Sequence, residues 1–318
     1  MSLPSASSAR TVPVSELNES LLVCPQCRAM LVVSPAFGEA TTCTCVACEQ
    51  TFAVRVFKEN ATLRLQADLR PDAGPVSDAP ELDDTEAWQN RIKLFLRQSP
   101  WLYRFLVYVI GPALLLGPTS QTFVNRQADD AVILNLGCGV RRLKPRASQR
   151  VIHLDYEPYA HLEVVGDAHF LPFTDASLDA VVCETMLEHV PEPERVIAEM
   201  TRVLKPGGRV FVLMPFMFGF HAAPNDFERY THKGLLFRMR GFACEQLKVI
   251  AGPASALTGV LVEFCAMVCS LGMAPLYRVF SLAFLVVFAP LKLLDFILCF
   301  HPEASRIASI FLFVGRKK

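Results

Sequence analysis

The sequence predicts an α/β fold built on a mostly parallel sheet, and three observations carry that prediction. The run Val132-Ile-Leu-Asn-Leu136 is apolar enough to be a buried parallel strand, and Gly137 and Gly139 break it at once. Short apolar runs then alternate with turn and helix signals: Val151–Asp155, Leu162–Gly166, Leu178–Cys183 and Arg209–Met214. The length, 318 residues, holds one α/β domain of about 200 residues with smaller attachments.

Composition narrows the function. Thirty-one basic side chains balance thirty-one acidic ones, so no global field steers the chain toward nucleic acid. Residues 1–20 are polar and Ser-rich and do not read as a secretory signal, which places the protein in a reducing cytoplasm. Its eleven cysteines are then expected as thiols or metal ligands.

From the N-terminus, residues 1–20 read as a disordered tail and residues 21–60 as a zinc ribbon. Cys24-Pro-Gln-Cys27 and Cys45-Val-Ala-Cys48 are two knuckles separated by seventeen residues, a spacing that brings four thiolates to one tetrahedral metal. Cys43 is an alternative to Cys45 as the third ligand. Four sulfurs close the shell, so the metal is expected to be structural. Residues 61–89, rich in Asp, Pro and Ala, read as a linker. Residues 90–117 carry Ile92, Phe95, Leu96 and the run Trp101–Ile110 in helical segments. Those helices either cap the main domain, which spans 90–250, or lie on a membrane surface.

Within the main domain the glycines allow backbone amides to approach a nucleotide-like ligand. Asp155 closes the second apolar run, where a carboxylate would hold a ribose hydroxyl pair. Tyr156–His161 is too short for a crossover helix. The third run ends in Asp167-Ala168, an acid placed to accept from an adenine amino group, and Glu184 follows the fourth. Arg195–Leu204 reads as an amphipathic helix stopped by Lys205-Pro-Gly-Gly208.

After the fifth strand, the loop Pro215–His221 and the segment Pro224–Thr231 leave the carboxyl end of the sheet, where substrate recognition is expected. His221 is the candidate base, having the side chain that titrates nearest neutral pH, with Asp226 and Tyr230 as orienting partners. The alternative is that these groups only fix the loop. Glu188 and His189 read as cap or packing groups.

Residues 251–304 form an apolar helical insertion, its few charges including Glu263, Arg278, Lys292 and Asp295. Uncharged runs of about thirteen or fourteen residues fall short of the ~20 that span a bilayer. An interfacial helical hairpin is expected, with spanning helices or a cap on the core as alternatives. Residues 305–318 read as the last strand, near 307–314, followed by a basic tail.

The order Asn135-Leu-Gly-Cys-Gly139, Asp155, Gly166-Asp-Ala-His-Phe-Leu-Pro-Phe173, Leu187-Glu-His-Val190 and Arg202-Val-Leu-Lys-Pro-Gly-Gly208 resembles the class I S-adenosylmethionine-dependent methyltransferases of the small-molecule type. The resemblance covers roughly residues 130–250. It implies a Rossmann-like, seven-stranded methyltransferase sheet with S-adenosylmethionine as cofactor. By that likeness Gly137, Cys138 and Gly139 line its methionine part, Asp155 its ribose, Asp167 and Ala168 its adenine, and Glu184 lies near the methyl group. Val140-Arg141 departs from the further glycine many members carry, and the missing crossover helix is a second departure. The knuckles are similar to small zinc-ribbon proteins that activate certain methyltransferases.

Neither the Asn-Pro-Pro-aromatic motif of DNA amino methyltransferases nor a Pro-Cys nucleophile for pyrimidine C5 follows the fourth strand. The expectation is therefore methyl transfer to a lipid-linked or amphiphilic small molecule at the inner membrane surface, without a nucleic-acid partner. Its rivals are a non-catalytic scaffold that recruits a partner through the ribbon, and an RNA or protein methyltransferase.

Overall fold

The run that begins the main domain buries both of its faces. In β5 (Val132–Leu136), Leu134 and Leu136 enter one apolar cluster while Ile133 enters the other. This period of two, carried by a strand apolar on every inner position, is what a central parallel strand requires. The same split recurs in β6 (Arg150–Asp155), β8 (Leu178–Glu184), β9 (Leu204–Pro215) and β11 (Ile310–Lys317). The computed structural model describes residues 22–29, 31–34, 41–59, 62–68, 109–159, 161–221 and 225–318. The expected tail over 1–20, the linker beyond residue 68 and the leading helices over 90–108 lie outside the described residues.

With β7 (Val164–Val165) and β10 (Phe242–Ala251), seven strands form the sheet in the order β7-β6-β5-β8-β9-β11-β10. The first five run parallel, and β11 is antiparallel to both β9 and β10. The chain starts in the middle and winds outward to each side, so a crevice opens at the carboxyl end of β5. Helix α1 (Ser120–Asn125) places Phe123 and Val124 in one face cluster, and α2 (Pro193–Val203) places Val196, Met200 and Val203 in the other, together with Leu235 of α3 (His232–Arg238). As expected, no helix lies among the described residues between Asp155 and Val164. Asp179 ties the two central strands together, accepting from the Val132 amide (2.9 Å) and from Lys205 Nζ (2.8 Å).

Three boundaries depart from the sequence reading. Thr62–Asp68 is strand β4, not linker, and it pairs in parallel with β7 (Ala67 to Val164, Asp68 to Val165). Together with β1 (Leu31–Ser34), β2 (Thr41–Cys45) and β3 (Thr51–Glu59) it extends the main sheet to eleven strands. The ribbon is therefore not a tethered module. Leu22 bridges to Phe173, the Val23 amide donates to the Pro172 carbonyl (3.0 Å), and Leu22, Leu31, Cys43 and Phe52 share the main core cluster. The expected basic tail is strand as well: β11 runs through Lys317, with Arg316 paired to Glu245 (3.0 Å) and Lys317 Nζ donating to the Leu204 carbonyl (2.7 Å). The stop signal Lys205–Gly208 lies inside β9, because α2 ends at Val203.

The insertion folds as a helical hairpin of α4 (Pro253–Ser270) and α5 (Ala274–Phe288), turned at Leu271 and Gly272, both with positive φ. A 3-10 turn (Ala289–Leu294) and α6 (Asp295–Leu298) continue α5, so the two helical stretches reach 18 and 25 residues. By length and composition both are long and apolar enough to cross a membrane. Two of the charges in them are accommodated: Tyr277 donates its hydroxyl to Glu263, and Lys292 donates to the carbonyls of Val109 (3.0 Å) and Gly111 (2.6 Å). Phe264, Met267, Val268, Leu271, Val279, Val286 and Val287 stay exposed.

Asp295, fully buried, closes the hairpin onto the sheet. Its carboxylate accepts from the amides of Gly252 (3.0 Å), Ala254 (2.9 Å) and Ser255 (2.9 Å) and from Ser255 Oγ (2.5 Å), satisfying the first turn of α4 where the helix dipole favours an anion. A Cβ at Gly252 would lie 2.5 Å from Asp295 Oδ1, so only glycine fits there. Asp295→Ala orphans three buried amides and a hydroxyl, and urea unfolding is expected to show a loss of about 3 kcal/mol or more. A loss under about 1 kcal/mol would mean that the cap is dispensable.

Candidate active site

The glycine break after β5 is a bare turn. Gly137 and Gly139 have φ of 61° and 54°, a region that L side chains enter only at a cost of about 1–2 kcal/mol. The Gly137 amide donates back to the Leu154 carbonyl (2.9 Å), and the Gly139 amide donates to Asp155 Oδ2 (2.7 Å). Asp155 Oδ1 accepts from the Glu157 amide (3.0 Å). The carboxylate thus welds the turn after β5 to the turn after β6. The two glycines differ in what faces them. A Cβ at Gly137 would sit 2.2 Å from Met186 Cγ, whereas nothing lies within 4 Å of one at Gly139. Gly137 makes room for a neighbouring side chain, and Gly139 borders open space.

Other groups brace this turn from behind. Asn135 Nδ2 donates to the Arg141 carbonyl (3.2 Å), and the buried His153 accepts from the Leu143 amide at Nε2 (3.1 Å) while Nδ1 meets Glu163 (3.0 Å). Cys138 is buried with Leu162 and Val165. Arg141, standing where a further glycine was expected, forms an ion pair with Glu184 at the end of β8. The following residue, Thr185, has φ of 47°, a strained conformation for a β-branched side chain, and it turns Met186 toward Gly137.

On the other side of the crevice Asp167 caps a 3-10 turn that begins at Ala168. Its Oδ1 takes the His169 amide (2.9 Å) and meets the His169 imidazole (2.6 Å). Burial alone would raise the Asp167 pKa, but these bonds and the nearby charge of Arg195 hold it below the ordinary carboxylate value. The segment beyond is pinned by Glu199 and Arg202: Glu199 accepts from the Leu171 amide (2.9 Å), and Arg202 donates to the carbonyls of Leu171 (2.8 Å) and Phe173 (2.7 Å). Arg28 of the ribbon pairs with the same Glu199 (3.0 Å).

The loop after β9 brings His221 and Asp226 together. The His221 amide donates to Asp226 Oδ2 (2.9 Å), and Arg229 clamps both oxygens of Asp226. The imidazole Nδ1 is 3.6 Å from that carboxylate, so the two rings of contact are backbone and guanidinium, not a His–Asp dyad. Burial and the neighbouring His189 push the His221 pKa down to about 4, below the ordinary histidine value. The Tyr230 hydroxyl donates to Glu228, under the guanidinium of Arg238, and burial pushes its pKa up.

Two residues read from sequence as packing groups sit against His221. The His189 ring is edge-on to it with centroids 5.0 Å apart, and the fully buried Glu188 lies 3.8 Å from His189 Nε2. Burial pushes the Glu188 pKa up to about 8. In the sequence they stand within Leu187-Glu-His-Val190, four and five residues past the acid that ends β8.

In the ribbon the four expected ligands Cys24, Cys27, Cys45 and Cys48 have their sulfurs within 4.8 Å of one another. The Cys24–Cys48 separation of 3.7 Å and the Cys27–Cys45 separation of 3.3 Å suit a tetrahedron of ~2.3 Å metal–sulfur bonds. Arg28 and Glu49, each just past a knuckle, have φ of 63° and 59°, and the Ala47 and Cys48 amides point at Cys45 Sγ. Cys43 lies outside this cluster, its thiol facing the Phe52 carbonyl.

Residues 134–212 match the family described as a methyltransferase domain. The chain is 30% identical over 145 residues to a demethylmenaquinone methyltransferase of Renibacterium salmoninarum, covering 46% of this chain and 54% of that one. It is 41% identical over 71 residues to a phosphatidylethanolamine N-methyltransferase of Cereibacter sphaeroides, covering 22% and 34%. The chain thus spans from a third to about half the length of these relatives. Among solved structures it is similar to a possible histamine N-methyltransferase from Thermotoga maritima, at 17% identity and a TM-score of 0.39, over 72% of this chain and 99% of that one.

The contrast between the glycines is testable with S-adenosylhomocysteine as probe. Gly137→Ala should lower the melting temperature through its collision with Met186, with partial rescue by Met186→Ala. Gly139→Ala should leave folding within about 1–2 kcal/mol of the parent yet weaken the probe at least tenfold in calorimetry. Equal effects of the two substitutions on melting would contradict the assignment. Because the family match falls on β5 through β9, on the same turns that the fold gathers at one crevice, residues 134–212 form a methyltransferase domain.

Proposed function

We propose that the protein transfers a methyl group from S-adenosylmethionine to a lipid-linked or amphiphilic small molecule at a membrane surface, with zinc in the ribbon as a structural ion. Bound in the crevice, the cofactor supplies an electrophilic methyl on a sulfonium. Asp155 would hold the ribose hydroxyls, Asp167 with the Ala168 amide the adenine edge, and the open side of Gly139 the methionine part. Glu184, paired with Arg141, closes the end where the methyl group is presented. In-line displacement depends chiefly on alignment, and the clamp of Arg229 on Asp226 fixes the loop that faces it. Within that loop His221 offers a neutral ring nitrogen to the acceptor side, and Tyr230 forms part of the wall behind it.

The membrane part rests on one observation: α4 passes so close to the acceptor loop that a side chain at Gly219 would touch Glu263 (3.9 Å). Exposed Met217, Phe220 and Phe227 continue the apolar surface of the hairpin to that loop. Both ends of the hairpin join the sheet, through β10 and β11, so it enters and leaves lipid from one side. An amphiphile could pass from lipid to the crevice along this face without crossing water. The names of the two curated relatives, one acting on a quinone precursor and one on a phospholipid, agree with such a substrate.

Three measurements check the reading. Asp155→Ala should abolish the calorimetric heat of S-adenosylhomocysteine, and a retained heat removes the ribose assignment. The full-length protein should float with phosphatidylglycerol vesicles, and the double substitution Phe264→Asp, Leu271→Asp should leave it in the dense fraction; equal recovery with lipid removes the membrane surface. Chelation of one zinc per chain should lower the melting temperature and, through the strand contacts at Pro172 and Phe173, weaken S-adenosylhomocysteine severalfold.

A further inference from the structure

Glu188 is anomalous. Its side chain is completely buried, and neither carboxylate oxygen has a hydrogen-bond partner in another described residue. A buried carboxyl group left in that state is destabilising by several kcal/mol unless something off the chain completes it. What surrounds it is a set of metal ligands. One ligand atom each from Glu188, His189 and His221 lies within 4.8 Å of the others. We propose that these three residues bind one divalent first-row metal ion, such as zinc, manganese or iron, on the acceptor side of the crevice, separate from the cysteine cluster.

The outer contacts fit this assignment. His189 Nδ1 lies 2.5 Å from the Asn225 carbonyl, so it carries the proton there and turns the lone pair of Nε2 toward Glu188. This is the tautomer and support a ligating histidine uses. His221 Nδ1 lies 3.2 Å from both the Gly219 carbonyl and Arg229 Nη2, so that nitrogen is engaged within the loop and Nε2 is the one left for a metal. Phe227 locks the geometry by donating its amide to the Glu188 carbonyl (2.7 Å), which folds the acceptor loop over the three ligands. Two imidazoles and one carboxylate suit zinc, iron or manganese better than calcium or magnesium and leave coordination positions open.

Resting on the methyl-transfer reading, the open positions define the acceptor. A cation there repels an ammonium group and binds a hydroxyl, lowering its pKa beside the methyl donor, so the substrate is an oxygen acceptor and not an amine. The Asp226–Arg229 pair is internally neutralised and does not compete for the ion.

Mn²⁺ titrated into full-length protein carrying a single zinc per chain, the equivalent taken by the four cysteines, and followed by the electron paramagnetic resonance of the free ion should report one saturable site per chain. Glu188→Gln and, separately, His221→Ala on the partly exposed loop should each weaken it at least tenfold. No saturable site, or one unchanged in a folded variant, overturns the proposal. Calorimetry of S-adenosylhomocysteine on the same samples separates the two readings: heat without a Mn²⁺ site overturns the metal alone, and a Mn²⁺ site without heat supports the metal while removing methyl transfer.

Discussion

The hydrogen bond from the Gly139 amide to Asp155 is the constraint on which the rest of the crevice depends. Two neighbouring parallel strands end at the same level, and their last carboxylate and first turn amide meet at 2.7 Å. That bond requires the left-handed turn, which in turn requires glycine at both positions, and the space in front of Gly139 is kept clear of side chains. A charge-assisted bond at a strand end is stronger than a neutral one, by roughly a factor of two. Here it holds an otherwise strained backbone in the shape of a cradle. Thr185 stores further strain on the facing side, so the site is bordered by two segments that a merely structural turn would have relaxed.

The ribbon changes meaning once its position is seen. As a tethered module it could only recruit or stabilise. As four strands added to the β7 edge it continues the sheet, and Leu22, Leu31, Cys43 and Phe52 join the cluster that also holds the buried side chains of α2. Arg28 reaches Glu199, which also holds the Leu171 amide, and Leu22 and Val23 pair with the segment that ends at Phe173. The cysteine cluster therefore stands behind the loop that begins at Asp167.

How much of this was legible follows from the range of each interaction. The glycine turn, Asp155, Asp167 and the paired knuckles are encoded within a few residues, by backbone freedom or by ligand spacing, and they could be read directly. Strand β4 could not. Its pairing joins Ala67 to Val164, and its polar composition resembles a linker until a partner strand is supplied. Glu188 and His189 escaped for a similar reason, since their role depends on a loop some 36 residues further on folding back to place the Asn225 carbonyl and His221 beside them. The helical lengths of the hairpin were also hidden, because the charges that seemed to interrupt it are answered by Tyr277 and by two backbone carbonyls.

The hairpin raises the question of why so apolar a segment should be inserted between the two antiparallel strands and not appended at an end. Insertion there gives it two rigid attachments on adjacent strands, and Asp295 adds a third by capping α4 from the returning chain. A segment held at three points cannot swing freely. Its exposed apolar face keeps a fixed orientation to the acceptor loop, with Glu263 beside Gly219. A segment on a flexible tail could present its apolar face in any direction, whereas this attachment fixes which side of the sheet carries it. The capping carboxylate thus helps to fix where that apolar face stands relative to the loop after β9.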